Sequence, residues 1–255
     1  MSANSFLPAL AVAAVAAFAA PPPASAAQWS AARPVERDTA REMACGPQAA
    51  ARHPIGRVRI IAGEAAGRSL FGPDDVVILN AGSSDGLAAG QEFFVRRALR
   101  DPFLEPARGR AAHVSIQTAG WVRLEQVGPA VSSARILHAC DGITSGDYLE
   151  PFVLPVIPTP IARGHPDFSD PGRVLMGNER RHVGAAGALM VLDRGSNHDV
   201  RPGQRLTVFR PVVEGGPVEL VAEATVITVS PATALVYIDS SRDAVYVGDS
   251  VAVHR

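Results

Sequence analysis

Gly82-Ser83-Ser84-Asp85-Gly86 spells the hydrolase string Gly-x-Ser-x-Gly, in which a serine on a sharp turn attacks a carbonyl group. That chemistry needs a strand-to-helix turn that presents the serine to a distant histidine and acid. Here the alternating residues after the string predict a strand instead. At the matching place in the second half of the chain, Gly195-Ser196-Asn197-His198-Asp199, Asn197 stands where the nucleophile Ser84 would be. A tight turn with a positive-φ position at Gly86 accounts for the same residues, and a secreted hydrolase is the least supported function. Two trios carry metal-capable atoms: His165, Asp167 and Asp170, and Asp193, His198 and Asp199. Neither has a rigid strand or helix to hold its spacing, so both read as polar coil, and no metal and no cofactor is expected.

Cys45 and Cys140 are the only cysteines. In an exported chain they are expected to form a disulfide, closing a long loop worth about 4 kcal/mol in the chain-entropy picture; the alternative is two buried thiols. A metal site would need more ligands than these two, and no histidine sits at a recognisable spacing from either. Trp121 is the one well-placed ring for stacking on a sugar, but Glu223 replaces it in the second half, which argues against a shared carbohydrate platform.

The elements that must position these groups come twice. Val77 to Arg97 and Met190 to Arg210 align without a gap, with Leu79, Gly82, Ser83, Gly90, Gln91, Val95 and Arg97 recurring as Leu192, Gly195, Ser196, Gly203, Gln204, Val208 and Arg210. Gly82, Gly86, Gly90, Gly195 and Gly203 are the expected structural turns. The later halves align at another offset, with Pro129 matching Pro231 and Gly146-Asp147 matching Gly248-Asp249. The first copy carries an extra stretch from about Ala98 to Gln117, which reads as a long hairpin loop. Short alternating strands with turn signals between them predict an all-β chain of two tandem small barrels, at residues 56–150 and 172–255. Residues 151–171, dense in proline, predict an extended spacer. Residues 27–55 predict one short helix, around Glu36 to Ala51. Tyr246-Val247-Gly248-Asp249-Ser250-Val251 reads as the end of the second barrel, since Ser145-Gly146-Asp147-Tyr148-Leu149 holds the same place in the first.

Residues 1–26 have the apolar, alanine-rich run and the Ala24-Ser25-Ala26 ending of a secretory signal peptide. Beyond them no apolar run is long enough to span a bilayer, which takes about 20 residues. The protein is therefore expected in the periplasm or at the outer membrane, not as a transmembrane chain. With 24 basic and 25 acidic residues it lacks the cationic footprint that nucleic acid requires.

The pattern apolar-Leu-x-x-Gly-Ser, Gly/Asp-Leu/Val-x-x-Gly-Gln-x-apolar-x-Val-x-Arg, closed by apolar-x-x-Gly-Asp, resembles the SH3-like β-barrel module of Gram-negative envelope proteins. That module is found attached to peptidoglycan-binding LysM domains, and a related one forms the C-terminal domain of the flagellar H-ring assembly protein. The resemblance implies SH3-like barrels; no intact LysM repeat accompanies them. The copies differ in their outer faces: Arg123, Glu125 and Arg135 in the first become Thr225, Ile227 and Tyr237 in the second. An apolar outer face marks either a partner surface or burial against another part of the chain. Ile227, Leu235 and Tyr237 are the candidate binding residues. The expected function is a non-enzymatic scaffold or protein-binding module for other envelope proteins, with peptidoglycan or glycan binding as the alternative.

Overall fold

In the computed structural model, which describes residues 34–50, 52, 54, 56–65, 67–99, 114–161, 164–178, 181–213 and 216–255, nearly every element is a strand. The signal peptide expected over 1–26 lies outside the described residues. The one described helix, α1 (Pro34–Ala44), begins on a proline, whose fixed φ suits a first turn. It stops at Cys45-Gly46-Pro47, because proline cannot continue a helix. The helix expected over Glu36 to Ala51 is thus shorter, and Gln48–Ala50 form strand β1 instead.

The chain then forms β2 (Ile60–Gly63), β3 (Leu70–Phe71), β4 (Val76–Leu79), β5 (Glu92–Leu99), β6 (Val114–Val127), β7 (Ser132–Ala139), β8 (Ile143–Thr144) and β9 (Tyr148–Pro151). A second series follows: β10 (Pro166–Gly177), β11 (Val183–Gly184), β12 (Leu189–Leu192), β13 (Arg205–Pro211), β14 (Val218–Val229), β15 (Ala234–Ser241), β16 (Val245–Tyr246) and β17 (Ser250–His254). The first sheet runs β2-β4-β7-β6-β5-β9, with β1 paired to the start of β6. Its two ends meet where Arg59 bridges Tyr148, the Ile60 N–H donates to the Asp147 carbonyl and the Leu149 N–H donates to the Val58 carbonyl. The second runs β10-β12-β15-β14-β13-β17 and closes into a barrel. Strand for strand the two orders correspond, and each is accompanied by a short ribbon, β3-β8 and β11-β16.

Period-two alternation explains the cores. Val77, Leu79, Val95, Val122, Leu124, Ala134 and Ile136 fill the first sheet, and Met190, Leu192, Leu206, Ala224, Val226, Val236 and Ile238 fill the second. The β5-β6 hairpin stays paired out to Leu99 and Ser115; its connection, residues 100–113, lies outside the described residues.

The proline-dense spacer is shorter than expected, because residues from Pro166 onward belong to β10, where Pro166 faces His254 and Asp167 faces Val253. Pro166 opens the strand and Pro171 lies in the register irregularity before Gly172, two places where a missing N–H is tolerated. Residues 34–255 form one compact unit, so the remaining spacer lies along the sheets, where the Ile161 N–H donates to the Gly203 carbonyl. No described helix is long and apolar enough to cross a membrane.

Candidate functional site

The residues around the end of α1 touch both sheets. Met43 packs with Met176, Leu189, Val191, Ile227 and Leu235 of the second sheet. Ala44 packs with Phe94 and Trp121 of the first. Cys45 is disulfide-bonded to Cys140, just past β7, with Cα atoms 5.5 Å apart. The Gly46 carbonyl accepts a hydrogen bond from Thr118 Oγ1 at 3.1 Å, and the buried Arg96 guanidinium donates to that same hydroxyl. A Cβ at Gly46 would stand 2.6 Å from Leu235 Cδ2, so the backbone passes close against that side chain. The result is an apolar seam with one covalent tie.

Ile227 and Leu235, candidates for a partner surface, are 3% and 7% exposed beneath Met43, and Tyr237 packs against the same cluster with Ile157 of the spacer. Of the two readings the sequence left open, this face is occupied by the chain itself. Trp121 is equally enclosed: it stacks on His138 with ring centroids 4.3 Å apart and meets Phe94 and Phe152, leaving no platform for a sugar.

Ser84 is exposed on a single 3-10 turn, Ser83–Asp85, that is followed by β5 rather than a helix. Asp85 is committed to that turn, accepting the Gly82 N–H at 3.0 Å, and His198 Nδ1 accepts the Gly195 N–H at 3.2 Å in the second copy. Gly86 sits at φ 83 and Asp199, its counterpart, at φ 59, so the left-handed position recurs without the glycine. Gly90 and Gly203 are left-handed as well. Gly82 and Gly195 serve close approach instead: a Cβ there would stand 2.2 Å from the Gly128 carbonyl oxygen and 2.1 Å from that of Ser230.

Three of the four acidic members of the two trios have structural partners. Asp193 accepts the Arg173 N–H, Asp170 pairs with Arg194, and Asp167 accepts from Ser169 and faces Arg255. Neither trio converges into a metal-ligand cluster; among the described residues that grouping is Cys45, His138 and Cys140.

His138 was missed in the sequence, although the spacing His138-Ala139-Cys140 carried the signal: residues two apart on a strand share a face. Its Nε2 lies 3.8 Å from Cys45 Sγ. Burial, with a smaller contribution from Arg41, holds its pKa below the usual histidine value. A cavity of about 440 Å³ opens beside it, lined by Arg41, Glu42, Cys45, His138 and Cys140.

A second unforeseen set replaces the first sheet's ring cluster. Where Phe94, Trp121 and Phe152 stand in the first copy, the second has Thr207, Glu223 and His254. Thr207 Oγ1 lies 2.7 Å from His254 Nε2 and donates to Glu223 Oε1 at 3.0 Å. The set resembles a nucleophile, base and acid, yet Thr207 is 2% exposed, so no substrate reaches its hydroxyl. Burial lowers the His254 pKa, against the opposing pull of Glu223. It is a buried polar contact between strands.

Exposed apolar side chains gather at one end of the closed barrel: Val212 and Val213 at the β13-β14 hairpin tip, Val218 and Leu220 on β14, and Phe168, whose ring meets Phe209 at 4.9 Å. Leu220 pairs with Phe209 across the strands, which brings it beside the Phe168–Phe209 contact. No protein-family model and no curated protein matches this chain.

Proposed function

We propose that this is an exported, non-enzymatic envelope protein in which two tandem SH3-like β-barrels, fused through α1 and the disulfide, act as a rigid protein-binding scaffold. The matching strand orders and repeated turns support the duplicated barrel. The observation that carries the function is the apolar end of the closed barrel, where Val213, Val218 and Leu220 of the β13-β14 hairpin and Phe168 of β10 face solvent. Anchored apolar side chains on a rigid strand pair lose little freedom when a partner covers them, which favours recognition of an apolar segment of another envelope protein. The groups that resemble catalytic residues hold turns and strands together instead.

The test is a crosslinking pull-down from envelope fractions with the wild-type chain and with Val213→Lys and Leu220→Lys, beside a pelleting assay with purified peptidoglycan. Recovery of a specific envelope protein by wild type, lost in both variants without loss of stability, is the expected result. Pelleting with peptidoglycan alone, unaffected by the two substitutions, would overturn the reading in favour of a wall-binding module.

A further inference from the structure

The end of the seam holds more than a disulfide. Cys45, Cys140 and His138 each offer one ligand atom, and these atoms lie within 4.8 Å of one another. Sulfur and imidazole nitrogen are the ligand set of tetrahedral zinc sites, with bonds near 2.3 and 2.0 Å that place sulfur and nitrogen roughly 3.5 Å apart around the ion. The 3.8 Å between Cys45 Sγ and His138 Nε2 is already close to that separation. His138 is held by stacking on Trp121 at an interplanar angle of 18°, which fixes the direction of its ring. Cys45 and Cys140 leave α1 and β7 respectively, so the ligands come from two anchored elements and not from a flexible coil.

We propose that, once the Cys45–Cys140 bond is reduced, Cys45, Cys140 and His138 bind one thiophilic divalent cation such as Zn2+, which then holds α1 on the seam in place of the disulfide. The two states exclude each other, since bonded sulfurs lie about 2.05 Å apart and sulfurs sharing a tetrahedral ion about 3.8 Å. A dithiol supplies the two electrons and two protons that convert the disulfide to two thiols, itself becoming a disulfide. The cation then displaces the two thiol protons and undergoes no redox change. A water molecule completes the coordination.

The test uses the full chain, oxidised or reduced with a phosphine, and titrates Co2+ as a spectroscopic probe before displacing it with Zn2+. The reduced wild type is expected to bind one equivalent with thiolate-to-cobalt charge-transfer absorption, and Zn2+ is expected to raise its melting temperature. The oxidised chain should show neither effect. His138→Phe keeps a ring against Trp121 but removes the nitrogen, and should weaken Zn2+ binding at least tenfold. Circular dichroism reports whether the reduced chain is folded. Absence of the charge-transfer band in the folded, reduced chain would overturn the proposal. So would a reduced chain that unfolds and is not refolded by Zn2+, or His138→Phe binding as tightly as wild type.

Discussion

Arg97 donates to both carboxylate oxygens of Asp147, at 2.8 and 2.7 Å, while Asp147 also accepts the Thr144 N–H. Arg210 reaches Asp249 at 3.0 Å, and Asp249 accepts the Tyr246 N–H in the same way. Each pair pins the last strand of its sheet to the strand that carries the arginine. Because Asp147 is almost fully buried, Arg97→Ala leaves a carboxylate without its cation and is expected to cost about 3 kcal/mol in urea denaturation. The two pairs share no residue, so Arg97→Ala and Arg210→Ala should add to within about 0.5 kcal/mol. The recurrence of both arginines and both Gly-Asp steps was legible in the sequence. Their pairing was not, because the two halves of the repeat align at different offsets. The same limit hid Thr207, Glu223 and His254, which lie on three strands. His254 gives a pH signature: burial lowers its pKa from the ordinary 6.5, so the unfolded chain takes up a proton that the folded chain refuses. Stability is therefore full above pH 6.5 and falls as the pH drops below it. Denaturation midpoints should decline as the pH is lowered past that value, and His254→Gln should flatten part of the slope; His138 contributes in the same direction.

Alternation made the strands and their buried faces readable, since Val122, Leu124, Ala134 and Ile136 point inward as their period requires. Boundaries were harder. Proline density suggested a spacer through Pro171, but Pro166 and Pro171 occupy positions of β10 that need no N–H. α1 stops before Pro47, as proline requires, but the close approach of Leu235 to Gly46 comes from nearly 190 residues later and is invisible to any local pattern. The apolar outer face of the second sheet was legible, while its cover was not, because within α1 a single side chain, Met43, joins that cluster. Ile227→Lys places an ammonium beneath that cover and should lower stability by about 3 kcal/mol, read as a shift of the urea midpoint. An unchanged midpoint would mean that α1 does not lie on this face in solution.

Each sheet has one apolar outer face, and the two are not equivalent. The first uses the β5-β6-β9 side, with Phe94, Trp121 and Phe152; the second uses the β12-β14-β15 side, with Leu189, Val191, Ile227 and Leu235. The corresponding sides of the other copy are polar: Thr207, Glu223 and His254 on the second sheet, and the Arg135–Glu125 ion pair on the first. α1 closes the joint between the apolar faces, and Cys45–Cys140 anchors α1, so the two sheets should melt as one body. Differential scanning calorimetry of the oxidised chain tests this most directly. A single transition with equal calorimetric and van't Hoff enthalpies is expected, separating into two when both cysteines are replaced by alanine. Two resolved transitions in the intact, oxidised chain would contradict the fused scaffold.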